Sequence, residues 1–392
     1  MARVAIGWLM LELTGDVALV GVTFALQFAP TLAFGVWAGV ISDRAPRRVV
    51  LMVTQGANVL SYGTLAALVL TGAVQIWHVI LIAAITGTSM AIDAPSRSGF
   101  ISEMVGTSKL RAAISLNAAN FNLGGIVGPA LSGVLIAVIG TGWSIAVNSG
   151  TASIAVLALA LMRGHELVPV PKLPRARGQI REALGYAMRK PTIRWPLFLM
   201  LFVSLFGMNL PVLLAAASDP RGYDTGAAGY GFYNTLAAAG AFVGSLLASR
   251  RRTLRLRDAV GFAGLFGIVM MLAGWDGWYP LFLSALVGLG IARLLFSIGA
   301  ESLIQLSTNP GIRGRVMSLY LMVMMGGQAL GSVIIGWVAE VYGASAGFLV
   351  AGGGPLVAAC FAAIMLAYRR QLRLRVDLRS PRRLVRIVPR RV

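Results

Sequence analysis

Uncharged apolar stretches of about 20 residues recur along this chain, the length at which a helix rising 1.5 Å per residue crosses a hydrocarbon layer of roughly 30 Å. Twelve are read, near 2–13, 18–41, 49–71, 77–100, 112–138, 143–163, 195–217, 229–248, 259–275, 280–304, 315–338 and 345–368. Inside a bilayer, backbone polar groups must be satisfied within the segment or in a closed barrel, so helix-length stretches specify an all-α integral membrane protein. Composition agrees: of 392 residues, 57% are hydrophobic and 12% charged, with a mean hydropathy of +0.78. A soluble enzyme of this size has no core large enough to hide that much apolar surface. The single cysteine, Cys360, lies in an apolar run, which excludes an internal disulfide and a cysteine metal site.

The net charge of +20 reports topology. Thirty of the 34 Lys and Arg lie in the segments 42–48, 102–111, 163–194, 249–258, 306–315 and 369–392, between or after the apolar stretches. The excess of cations on cytoplasmic connections assigns all six to the cytoplasm. An even span count then expects both termini of the complete protein on that side of a bacterial cytoplasmic (inner) membrane. Arg221 is the one clear external cation, while Arg3, Arg97 and Arg293 fall within spans or at their edges. A nucleic-acid partner is not expected, because these cations sit in short connections and not on a water-facing domain.

The Pro- and Arg-rich connection 164–194 divides the spans six and six. The expected domains are thus a six-helix bundle over 1–163, a linker over 164–194, a second six-helix bundle over 195–368 and a basic tail over 369–392. Leu184, Tyr186 and Met188 alternate with charges at helix-like spacing, which predicts a short amphipathic helix on the membrane surface. The ten arginines of the tail, interleaved with Leu and Val, predict contact with anionic lipid.

Sliding the second half over the first by 203 residues superposes Ser115-Leu116 on Ser318-Leu319, and Gly124, Gly128 and Gly133 on Gly327, Gly331 and Gly336. This register predicts that the halves are repeats. The same offset expects the first span to begin about eight residues before Met1, so span 1 reads as clipped at its N-terminus.

Between spans 2 and 3 stands Gly39-Val-Ile-Ser-Asp43-Arg44-Ala-Pro46-Arg47-Arg48. A carboxylate there can accept from free N–H groups at the start of a neighbouring helix. Asp93 and Arg97, four apart near the inner end of span 4, can pair along their own helix. Span 5 carries Gly124, Gly128, Pro129, Ser132 and Gly133, small residues that allow close helix approach around a proline bend.

The first of these stretches resembles motif A of the major facilitator superfamily, GxLaDrxGrk, with Pro46 in place of the second Gly. The span 5 pattern resembles motif C, gxxxGPxxGG, associated with exporters, with Ser132 departing from it. Together with Pro95-Ser-Arg97, Leu116-Asn117, Phe121-Asn122-Leu123, Gly207-Met208-Asn209, Gly229-Tyr230-Gly231 and the run from Arg313 to Tyr320, the chain to about residue 368 resembles the exporter branch that includes enterobactin exporters and macrolide efflux proteins. The resemblance implies a monomeric carrier that exports a small amphipathic drug, macrolide or siderophore by alternating access with proton antiport. It also implies a cytoplasmic latch in which Gly39, Asp43, Arg44, Arg47 and Arg48 close against Asp93 and Arg97, with Arg47 reaching Asp93 in the outward-facing state and parting from it in the other.

The polar residues within spans, Asn117, Asn120, Asn122, Asn209, Tyr230, Tyr233, Asn234, Tyr320 and Gln328, are candidates for the substrate pathway or for inter-helix hydrogen bonds. Arg293 lies mid-span, where an unpaired cation costs about 2.5–3.5 kcal/mol, and it is expected to face a cavity or a counter-ion. Asp93 and Glu301 are the candidate proton carriers. Other readings are a lysolipid or metabolite carrier of the same fold, and a non-transporting scaffold or inactive product if the short first helix is real. No phosphate-binding loop or hydrolase arrangement is present, so neither covalent catalysis nor a cofactor or metal is expected.

Overall fold

The computed structural model describes residues 2–163, 179–249, 255–275, 277–309, 312–369, 372–376 and 385–389. Side chains are not described for 35–44, 179–181, 369, both strands and scattered positions within 102–126. The membrane-embedded body is helical: α1 (Ala2–Thr14), α2 (Val17–Arg44), α3 (Arg47–Leu70), α4 (Ile76–Leu161), α5 (Gln179–Arg189), α6 (Pro191–Phe202), α7 (Leu210–Ser218), α8 (Gly226–Ser249), α9 (Leu256–Ala273), α10 (Tyr279–Ser307) and α11 (Arg313–Arg369). Proline fixes the first turn of α6, α7 and α10, where its missing N–H costs nothing. Among the described residues, nine segments are long and apolar enough to cross a membrane.

Two helical runs exceed any bilayer. α4 has 86 residues, about 130 Å if straight. It folds back instead. At the start of α3, Arg47 donates to the Gly99 carbonyl, and Arg48 donates to the carbonyls of Leu159 and Ala160 at 2.8 and 2.9 Å. Gly142, by contrast, lies against Val69 and Leu70 at the other end of α3. The return runs through Gly140 at φ +84°, a conformation open to glycine without penalty. Gly343, at φ 87°, breaks α11 in the same way. Helical backbone thus continues through 101–111, and the chain turns at single glycines within 139–142 and 339–344, where the hydropathy pattern expects connections of several residues.

Between α6 and α7, Val203–Gly207 forms a π-helical turn. Its looser bonding leaves carbonyls in need of donors. Asn209 Nδ2 supplies them, to Ser204 at 3.3 Å and Leu205 at 3.1 Å.

Lipid tails are as apolar as leucine, so close backbone packing helps hold such helices together. Two crossings are glycine on both sides. A Cβ built on Gly133 of α4 would sit 2.5 Å from Gly231 Cα of α8, and one on Gly336 of α11 would sit 3.0 Å from Gly21 Cα of α2. The first pair joins the early part of the chain to the late part, and the second does so again with the roles of the parts exchanged.

The tail adds a two-stranded antiparallel pair, β1 (Leu372–Val376) and β2 (Val385–Pro389), with Leu374 opposite Ile387 and Arg375 opposite Arg386. The period-two alternation of Leu-Arg-Leu-Arg-Val is the strand signal in that segment.

Candidate functional site

The arginine-rich ends of the helices define a basic face, and the opposite ends, joined by loops poor in Lys and Arg, define a second face. On the basic face, Arg47 donates to Glu103 Oε1 at 2.9 Å and to the Gly99 carbonyl at 3.1 Å. The family resemblance implies Asp93 as its partner when the cytoplasmic side is closed; in this structure that acid lies deeper. Asp93 is 8% exposed and accepts from Arg97 Nη2 at 2.6 Å, Gln55 Nε2 at 2.8 Å and Thr54 Oγ1 at 3.3 Å. Three donors thus engage both oxygens of Asp93 locally, the Asp93–Arg97 pair being four apart on one helix, and Arg47 takes the next acid along α4. The missed residue is Glu103. The signal that could have found it is Gly99, where any Cβ would overlap the Arg47 side chain and open the distance to the acid four residues on. Gly39, Asp43 and Arg44 lie in α2, with their side chains outside the described residues.

The Arg47 and Glu103 side chains are 15% and 21% exposed, sheltered enough for a measurable coupling. A double-mutant cycle on Arg47→Ala and Glu103→Ala, read by thermal unfolding, should return a coupling of about 0.5–3 kcal/mol. The same cycle on Arg47→Ala and Asp93→Ala should return near zero.

On the sparse face, Arg221 in the α7–α8 loop forms a clasp. It donates to Asp219 at 2.9 Å, to both oxygens of Glu340 on α11 at 2.6 and 3.1 Å, and to the Gly15 carbonyl at 2.8 Å. Glu340 also accepts the Val17 backbone N–H at 2.8 Å, capping the free amides at the start of α2. Hydrogen bonds to Glu340, then to Asp219, hold the Arg221 guanidinium above the ordinary arginine range. The one cation that sequence places on this side therefore ties the α1–α2 junction to α11.

The motif C residues split along α4. Gly133 is buried against Gly231, Ser132 is fully buried, and Gly128 and Pro129 are half-buried. Gly124 and Gly125, further toward the basic face, meet no atom within 4 Å among the described residues. Asn120 is exposed, Asn117 half-buried, and the Asn122 side chain lies outside the described residues.

Most of the remaining pathway candidates are spent on packing. Asn209 serves the π turn, while Asn234 and Gln328 donate to carbonyls of their own helices, on Tyr230 at 2.8 Å and Met324 at 3.4 Å. Tyr233 is buried between Thr225 at 3.1 Å and Tyr279 at 3.2 Å. Tyr230 stacks on Trp8 of α1 at 5.0 Å, and Tyr320 is 2% exposed. Glu301 is exposed and accepts from Gln305 at 3.0 Å. Arg293 is half-buried on α10 with no ion pair among the described residues.

Helix α5 lies on the basic face and docks on later elements. Glu182 pairs with Arg315 of α11, and Lys190, which follows α5, donates to Tyr186 at 2.6 Å. The Asn309 N–H donates to the same hydroxyl at 3.2 Å. The Lys190 contact, then the Asn309 amide, draws the Tyr186 hydroxyl below its usual range.

A polar cavity of about 180 Å³ opens among α1 to α4, lined by Arg3, Gln27, Asn58, Tyr62, Met90 and Asp93, among others. Sequence reasoning places Arg3 at a span edge and gives it no role. Its signal is the same as that of Arg293, an arginine in an apolar helix.

A family model described as transmembrane secretion effector matches residues 1–382. The Staphyloferrin A transporter of Staphylococcus aureus is 21% identical over 96% of this chain and 94% of its own length. The enterobactin exporter EntS of Shigella flexneri is 22% identical over 86% of this chain and 80% of its own. Among solved structures, a point mutant of the nucleoside transporter NupG aligns with TM-score 0.72 and 13% identity over 93% of this chain and 94% of that one, which establishes the fold. With a multi-pass helical body and a family match over nearly its whole length, the chain belongs to the transmembrane secretion effectors of the major facilitator superfamily and is a membrane transporter, not an enzyme.

Proposed function

We propose that this transporter exports a small amphipathic molecule of the drug, macrolide or siderophore class across a bacterial cytoplasmic membrane by alternating access, exchanging it for protons. The basic face is the cytoplasmic one. Twelve spans form two six-helix bundles: α1, α2, α3 and three spans from α4 (77–100, 112–138 and the part beyond Gly140), then α6 with α7, α8, α9, α10 and two spans from α11, divided at Gly343. Residues 1–163 make one bundle and 195–368 the other, joined by the linker 164–194 and followed by the tail 369–392, which rests on anionic lipid.

The observation that supports this reading is an asymmetry. The early and late helices meet at the sparse face through the Arg221 clasp and the two glycine crossings. Toward the basic face, Gly124 and Gly125 of α4 meet no atom within 4 Å among the described residues. A body closed on one side and open on the other is the inward-open member of an alternating pair. In the opposite state the motif A residues of α2 and α3 would latch the cytoplasmic side, with Arg47 leaving Glu103 to reach Asp93. Asp93 is the proton carrier favoured here over the exposed Glu301, because protonation would release its hold on Arg97.

Inverted membrane vesicles holding this protein should accumulate a dye, a macrolide or a siderophore when a proton gradient is imposed, and lose that accumulation on adding a proton ionophore. Accumulation that ignores the ionophore would remove proton antiport. Accumulation no greater than in vesicles lacking the protein, for all three cargo classes, would remove the export reading.

A further inference from the structure

We infer that the cavity among α1 to α4 is a binding site for a ring-sized hydroxy-acid, its carboxylate held by Arg3 and Gln27 and its hydroxyl by Asn58. The inference rests on the transporter reading and names the cargo chemistry that one site of it would take. Arg3 lies in α1, where Val4 to Leu11 are all buried. Its guanidinium faces the Phe28 ring at 4.7 Å and donates to the Met90 sulfur, a weak acceptor. Among the described residues no carboxylate lies within ion-pair distance of it. Asp93 lines the same cavity but is committed to Arg97, Gln55 and Thr54. A cation at membrane depth without an anion is costly, and such residues mark binding sites or pathways.

Unmet hydrogen-bonding groups in the same cavity give an independent indication. Gln27 is 3% exposed, and its Nε2, a donor, has no partner. Asn58 Oδ1, an acceptor, is buried without one. Each unmet group costs about 1–3 kcal/mol, which a matching ligand recovers. A guanidinium and an amide donor suit the two oxygens of a carboxylate, and the lone acceptor calls for a ligand O–H. Size limits the rest. A cavity of roughly 150 Å³ admits one benzene ring, so about 180 Å³ admits one substituted ring. The Tyr62 ring and the Met90 side chain, both in the lining, supply apolar surface for it.

The test is equilibrium binding to the purified full chain in lipid nanodiscs, with 3-hydroxybenzoate as probe and benzoate and 3-hydroxybenzamide as comparators. The acid should bind about tenfold or more tightly than the neutral amide and a few-fold more tightly than benzoate. Arg3→Met should weaken it about tenfold or more and Gln27→Leu a few-fold, with Arg3→Lys intermediate because it keeps charge but loses the planar fork. Both apolar variants remove unmet polar groups from the membrane interior and should fold, as checked by thermal unfolding. Equal binding of acid and amide, or unchanged affinity in both Arg3→Met and Gln27→Leu, would overturn the site. Because binding is read without a gradient, a protein that binds the acid but accumulates nothing in vesicles fails the export reading and leaves the site standing. One that accumulates a dye but discriminates nothing here does the reverse.

Discussion

Gly21→Val should reduce transport to below about a tenth of the parent rate and destabilise the protein by about 3 kcal/mol or more, the upper end of overpacking costs. A Cβ at this position would overlap the Ser332 carbonyl oxygen and come 3.2 Å from Gly336 Cα. Both obstacles are backbone, so no rotamer change can relieve them. The equivalent changes at Gly133 and Gly231 meet the same obstruction, with Gly231 Cα 2.5 Å and its carbonyl oxygen 2.6 Å from a Cβ on Gly133. Gly124→Val supplies the contrast within motif C, because among the described residues nothing lies within 4 Å of that position, and its stability should stay within about 0.5 kcal/mol of the parent. Thermal unfolding in detergent and vesicle transport read both quantities. A tolerated Gly21→Val would mean that α2 and α11 do not cross as closely as described.

Arg221→Ala should shift the equilibrium toward the state open at the sparse face. Its side chain is 52% exposed, so each ion pair alone contributes little, but the substitution removes partners from Asp219, Glu340 and the Gly15 carbonyl together. A summed loss of about 1–2 kcal/mol changes the ratio of states about five- to thirtyfold. Cysteine labelling reads this directly. Cys360 is exposed and must first be changed to serine, after which Ser332→Cys, fully buried behind the clasp, reports opening. An impermeant thiol reagent applied from the sparse face should label the Arg221→Ala variant several-fold faster than its Arg221 parent. Equal labelling would show that the clasp does not hold this face closed.

The membrane class, the family and the repeated glycines were legible in the sequence because each depends on local properties: apolar length, motif spacing and register. The glycine matches at an offset of 203 correspond to packing, since Gly133 and Gly336 both sit at close helix crossings. Helix ends at α4 and α11 were not legible. Gly140 and Gly343 turn the chain within one or two residues, so hydropathy expects loops of several residues where a single glycine makes the turn. Partner choice was hidden too. Asp93 is filled by Thr54 and Gln55 from α3, a neighbour that no spacing rule on α4 reveals, and Arg47 goes to Glu103. Asn209, Asn234 and Gln328 looked equally available as pathway residues, yet each is used by nearby backbone carbonyls. The partnerless Gln27 and Asn58 could not be separated from them without coordinates.

The position of the Gly21 crossing has a mechanical consequence. α2 runs from Val17 to Arg44 and is pinned against α11 at Gly21, so at 1.5 Å per residue about 6 Å of helix lies on one side of the contact and about 35 Å on the other. A rigid tilt about that point works as an unequal lever, its short arm at the Val17–Glu340 hydrogen bond and its long arm ending beside Arg47. A displacement of about 1 Å at the short end, enough to part a hydrogen bond, becomes a swing of roughly 6 Å at the other. Such a fulcrum would let a single arginine govern an aperture on the far side of the membrane.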